Sequence, residues 1–78
     1  MNKQWRVFKG GNNKSIVYKG VNLFEQTWKD TGETVALQDI TGLKNKFNIY
    51  EIDINGTVEK FAIREVMKNY WMVFTSME

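Results

Sequence analysis

A chain of 78 residues with 42% hydrophobic and 14% aromatic residues and a net charge of +2 is expected to fold as one domain, residues 1–78, around one core. It contains no cysteine and no histidine, so neither a disulfide nor a zinc site can staple that core, and the usual general base, thiol nucleophile and soft metal ligands are missing as well. The expectation is a binding domain with no cofactor and no enzymatic activity.

At the N-terminus, Met1 to Arg6 leads into a polar stretch with no apolar secretory region, and no apolar run is long enough to span a membrane. With cysteine absent, this reads as a cytoplasmic protein without a membrane partner. Nine lysines against two arginines, many Asn and Ile, and no proline reflect an A/T-rich coding sequence. A low-GC bacterium, or one of its phages or mobile elements, is the expected source.

The first 24 residues carry Lys3, Arg6, Lys9, Lys14 and Lys19 and no acidic residue. Trp5, Phe8 and Tyr18 are interleaved with these cations. Cations beside aromatic rings are what a surface that tracks phosphates and stacks bases requires. The candidate basic patch is therefore Lys3, Arg6, Phe8, Lys9, Lys14 and Lys19, facing DNA, RNA or an acidic protein surface. Five phosphate contacts would give a log–log salt slope of about −4. The competing reading puts Trp5, Val7, Ile16 and Tyr18 in the core and leaves the lysines to solubilise two strands. Trp5 with Val7 makes the better core face, which turns Arg6 and Phe8 outward. Lys9-Gly10-Gly11-Asn12-Asn13-Lys14 is glycine-rich and basic but lacks the spacing and the Ser/Thr of a phosphate loop, and Gly10–Asn13 reads as a loop between strands.

Further along, Glu25–Lys29 and Glu33–Leu37 flank Asp30-Thr31-Gly32, which predicts a hairpin with Gly32 in the left-handed region. A helical turn competes at its start. Asn22 and Glu25 have capping-box spacing, and Leu23, Phe24, Thr27 and Trp28 would share a helix face.

The clearest local signal is Asn55-Gly56 between Phe47–Ile54 and Thr57–Ile63, which predicts a two-residue type I′ hairpin. That turn sets Ile54 opposite Thr57, Ile52 opposite Glu59, Glu51 opposite Lys60 and Tyr50 opposite Phe61. One face then gathers Tyr50, Ile52, Ile54, Phe61 and Ile63, with Glu59 as the one charge among them. Glu51 and Asp53 alternate on the other face. Such a pair suits Mg²⁺ or acid–base work, but an exposed face with Lys60 opposite Glu51 explains it more simply. Ser15 and Ser76 have no plausible base partner.

Two readings stand for the C-terminal stretch. Ile63, Val66, Met67, Tyr70, Trp71 and Phe74 recur at helical spacing, giving an α+β fold with a helix over 62–74. Alternatively a short helical turn over 65–69 leads into a strand Tyr70–Thr75, which the β-branched and aromatic residues on either side favour. On that reading the fold is mainly β, a twisted antiparallel sheet of about five strands or a small barrel. Tyr70, Trp71 and Phe74, joined by Trp28, form a candidate aromatic patch on an edge-prone final strand, of the kind that anchors protein interfaces. Core packing is the competing use of the same residues.

The closely spaced strands from about Trp5 to Phe74, the two tight hairpins and the turn at Glu65–Tyr70 together resemble small SH3-like β-barrel proteins of Gram-positive phages or mobile elements. The resemblance implies a compact barrel that works by stoichiometric binding. It carries over no binding residue, since neither the acidic groove loops nor the proline-containing signature of true SH3 domains is present. The expected function is an interaction module that modulates a host macromolecule, with a host protein as partner. Nucleic-acid binding through the basic strands is the alternative, and homodimerisation would supplement the small core.

Overall fold

The computed structural model describes residues 4–12 and 16–77. Strands β1 (Gln4–Gly11), β2 (Val17–Tyr18) and β3 (Val21–Asn22) come first, then a single 3₁₀ turn, Leu23–Glu25. Four longer strands follow: β4 (Trp28–Gln38), β5 (Lys44–Ile54), β6 (Thr57–Met67) and β7 (Tyr70–Met77). Five of the strands form one antiparallel sheet in the order β1-β7-β6-β5-β4, and β2 and β3 make a separate two-stranded ribbon. The fold is mainly β, and the twisted five-stranded sheet is the architecture found.

The Asn55-Gly56 hairpin forms in the predicted register, with Tyr50 opposite Phe61, Glu51 opposite Lys60, Ile52 opposite Glu59 and Ile54 opposite Thr57. Both turn residues have positive φ, 53° and 90°, as a type I′ turn requires. The Asp53 carboxylate accepts a hydrogen bond from the Gly56 N–H at 2.8 Å, which gives Asp53 a turn role.

The predicted hairpin at Asp30-Thr31-Gly32 does not form; the chain runs straight on as one strand. Trp28–Asp30 pairs with Tyr50–Ile52, Thr34–Gln38 pairs with Lys44–Asn48, and the three residues between lie opposite Ile49 alone. The turn chemistry is present, with Gly32 at φ +79° and its N–H bonded to the Asp30 side chain at 2.8 Å. Here it builds a bulge instead of a reversal. Thr31 Oγ1 donates to the Ile49 carbonyl at 2.8 Å, replacing the ladder bond that the bulge removes. An 11-residue β5 offers a partner on both sides of the bulge, so continuing the strand satisfies more backbone than turning back.

In the C-terminal stretch the favoured strand from Tyr70 forms, as the start of β7, but neither helical element expected there does. Neither the helix over 62–74 nor the helical turn over 65–69 exists. Strand β6 runs to Met67, Lys68-Asn69 turns the chain, and β7 begins at Tyr70. Asn69 takes φ 62°, and its N–H donates to Glu65 Oε2 at 2.9 Å. The helical spacing arises because the sheet buries side chains on both faces. Ile63, Val73 and Trp71 pack on one side, with Ile16, Leu23, Ile52, Ile54 and Phe61. Val66, Tyr70, Met72 and Phe74 pack on the other, with Phe47, Ile49 and Ala62. A strand buried on both faces loses its apolar–polar alternation, and the remaining pattern mimics a period of 3.6. Strand β7 is also not an edge, since β1 and β6 flank it.

Gly10 and Gly11 belong to β1 and not to a loop. A Cβ on Gly10 would lie 2.9 Å from Tyr70 Cζ, so any other residue here requires the tip of this ring to shift. A bulge between Val7 and Lys9 leaves Phe8 unpaired. Trp5 is half-buried against the second cluster, whereas Val7 is 52% exposed and does not join Trp5 as a core residue.

The β4–β5 loop is organised around Asp39, a buried carboxylate. It accepts from the Thr41 N–H at 2.8 Å, from the Thr41 hydroxyl and from the Asn45 amide. The Thr41 hydroxyl bond is the largest influence holding its pKa below the ordinary carboxylate value. A depressed folded pKa contributes stability that is present above the unfolded value and lost as pH falls through the folded one. Wild-type urea midpoints are therefore expected to drop more steeply than those of Asp39→Asn as pH is lowered below about 4. Parallel profiles for the two proteins would show that this carboxylate is not linked to folding.

Candidate functional surface

The lower part of one sheet face is covered by the segment from Ile16 to Glu25. Leu23 N–H donates to the Ile16 carbonyl at 3.1 Å, and both side chains are fully buried against Ile52, Ile54 and Phe61. Asn22 caps the 3₁₀ turn by accepting from Phe24 N–H at 2.9 Å, so the capping signal is realised over one turn. The β2–β3 ribbon turns at Lys19-Gly20, both with positive φ, and is tied down through Glu59.

Glu59, the charge that the hairpin register places on the apolar face, accepts from the Tyr18 hydroxyl at 2.9 Å and from Lys19 Nζ at 3.0 Å. Burial, reinforced by this bond to Glu59, raises the Tyr18 pKa above its ordinary value. The Glu59 hydrogen bond likewise raises that of Lys19. The acid is thus the anchor that fixes the ribbon to the sheet.

This pairing changes the basic patch. Lys19 is committed to Glu59 and also lies 5.3 Å from the Tyr18 ring centre. Arg6 and Lys9 are exposed on β1, with the 36%-exposed Phe8 between them set edge-on to Tyr18 at 5.1 Å. Lys3 and Lys14 lie outside the described residues. Among the described members, Arg6, Phe8 and Lys9 share one sheet edge, and Lys19 reaches the same neighbourhood as part of an ion pair.

The predicted aromatic patch is divided by the sheet. Phe74 is buried against Phe47 with centroids 5.1 Å apart, and Tyr70 packs in the same cluster, opposite to Trp71. Neither can serve with Trp71 in one surface. The structure instead brings Trp28 and Trp71 together on the other face, 6.4 Å apart and edge-on. Phe24 sits between them, 5.0 Å from Trp28 and 5.2 Å from Trp71. Tyr50 completes the group at 5.0 Å from Trp28. All four are partly buried and pack against the cluster that holds Ile52 and Phe61, at the margin of the covered region. The Trp28 indole N–H donates to the Leu23 carbonyl at 2.7 Å, locking the ring at the boundary of the covering segment.

Beyond this group, the same face carries Thr34, Ala36, Lys46, Asn48 and Glu65, all exposed. The four rings therefore border an open half of the sheet. Sequence reasoning missed Phe24 and Tyr50 as members. Phe24 lies four residues before Trp28, and Tyr50 was visible as a residue of the apolar hairpin face, but the contact with Trp71 depends on strand order.

Among the described residues, no cluster of acidic side chains is arranged to hold a metal ion, and no helix is long and apolar enough to cross a membrane. No protein-family model, curated protein or solved structure matches the chain.

Proposed function

We propose that this protein is a non-enzymatic interaction module that binds a protein partner through Phe24, Trp28, Tyr50 and Trp71 and the open sheet face beside them. The observation that carries this reading is the continuous contact of four partly buried rings on one face, beside an exposed half of the sheet. Large aromatics held in place by neighbours lose little entropy on binding and dominate interface energetics. The lysine-rich, arginine-poor composition supports a low-GC bacterium, or one of its phages or mobile elements, as the source, and on this reading the partner is a host macromolecule that the chain modulates.

The test is affinity capture from such a lysate, with wild type and Phe24→Glu as paired baits. Phe24→Glu places a charge among the rings on a half-exposed turn. The expected result is a partner recovered by wild type, retained by Arg6→Glu and lost by Phe24→Glu. The second reading rests on Phe8 standing exposed between Arg6 and Lys9. Oligonucleotide binding that weakens steeply with salt and is abolished by Arg6→Glu with Lys9→Glu would assign function to that edge instead.

A further inference from the structure

The two edges of the five-stranded sheet differ in how they are protected. Edge strand β1 carries a bulge at Phe8 and the cations Arg6 and Lys9, devices that discourage pairing with another chain. The other edge, β4, is protected only over its first half, where Lys29, Asp30 and Glu33 surround the bulge. Its second half, Thr34-Val35-Ala36-Leu37-Gln38, has no charge, glycine or proline, and among the described residues its only ladder is the one with β5. Every second backbone N–H and C=O of this stretch therefore points away from the sheet.

We infer that β4 pairs with β4 of a second copy, antiparallel about a two-fold axis at Ala36, to form a homodimer with a continuous ten-stranded sheet. The segment is complementary to itself in this register. Val35 falls opposite Leu37 of the second copy, and Thr34 opposite Gln38. Val35 and Leu37 are half-buried members of the Phe47 cluster, so pairing extends an existing core across the axis. In this register Glu33 of one copy lies opposite Asp39 of the other, so the pairing is confined to the five uncharged residues between these acids. A two-fold contact between identical strands also closes on itself, whereas pairing β4 with β1 would propagate without limit.

Five paired residues with two apolar contacts make a small interface, below the usual 1,200 Å² or so, and the dimer is expected to dissociate in the micromolar range, at about 10–100 µM. Sedimentation velocity of the full chain from low micromolar to about 0.5 mM is expected to show a reversible monomer–dimer equilibrium. Ala36 is exposed, so Ala36→Lys is expected to keep the fold while weakening the dimer at least tenfold, because two lysines meet on the axis. Ala36→Glu should weaken it similarly, and mixing the two variants should restore a heterodimer. Arg6→Glu, on the opposite edge, should leave association unchanged. A wild type that stays monomeric throughout, a dimer indifferent to Ala36→Lys, or variants that fail to recover on mixing would each overturn the inference.

Discussion

Replacing Phe61 by alanine is expected to lower the thermal midpoint by at least 15 °C or so, leaving a large unfolded population under mild conditions. Phe61 is fully buried, lies in the cluster with Ile52, Ile54, Ile63 and Val73, and meets the Tyr18 ring edge-on at 5.0 Å. It joins the sheet to the ribbon that covers it, so no neighbour can collapse into the space without loosening that cover. Phe→Ala in a core costs about 3–5 kcal/mol, against a total stability of about 4–12 kcal/mol for a chain of this length. With no disulfide in the chain, nothing covalent offsets the loss. Val58→Ala, at a site 61% exposed on the same strand, is expected to cost less than about 1 kcal/mol. Circular dichroism melts of the two variants check the contrast, and equal losses would show that the core is not where the stability resides.

The second large effect is expected at Gly10. Gly10→Ala should destabilise by about 1–3 kcal/mol, although alanine is ordinarily no worse than glycine in a strand. The reason is local. The new methyl group would enter the space of the Tyr70 ring, which is partly buried against the Phe47 cluster. A double-mutant cycle isolates this cause, because the Gly10→Ala penalty should largely disappear once Tyr70 is also alanine. A penalty that persists in the Tyr70→Ala background would mean that β1 needs glycine for some other reason.

These residues also show what can be read from a sequence of this kind. The hairpin from Phe47 to Ile63 was legible down to its residue pairs, because Asn55-Gly56 admits essentially one turn type and a strand period of two fixes the rest. Asp30-Thr31-Gly32 carried equally good turn chemistry and formed a bulge. Local chemistry specified the left-handed glycine, but the length of β5 decided whether the chain reversed. In the C-terminal stretch the strand from Tyr70 was legible from its β-branched and aromatic residues, but a helix stayed in competition because the sheet has two buried faces, a tertiary fact that no single strand records.

The candidate site divides along the same line. Tyr70, Trp71 and Phe74 are close in sequence, yet strand alternation sends Trp71 to one face and the other two to the opposite core. Only Trp28 and Trp71 of the predicted aromatic patch share a surface, and the rings that connect them come from the 3₁₀ turn and from β5. In the basic third, charge counting identified the cations but could not show that Lys19 belongs to Glu59, forty residues away in sequence. Glu59 itself was the visible clue. A charge on an apolar hairpin face implies a partner, and the ribbon supplies it.

The binding-surface reading is tested most directly by nuclear magnetic resonance of the isotope-labelled protein, titrated with the protein recovered by affinity capture. The account predicts shifts concentrated at Phe24, Tyr50, Trp71 and the indole N–H of Trp28, with Arg6, Phe8 and Lys9 unchanged. Shifts confined to Arg6–Lys9, with the four rings unaffected, would contradict it.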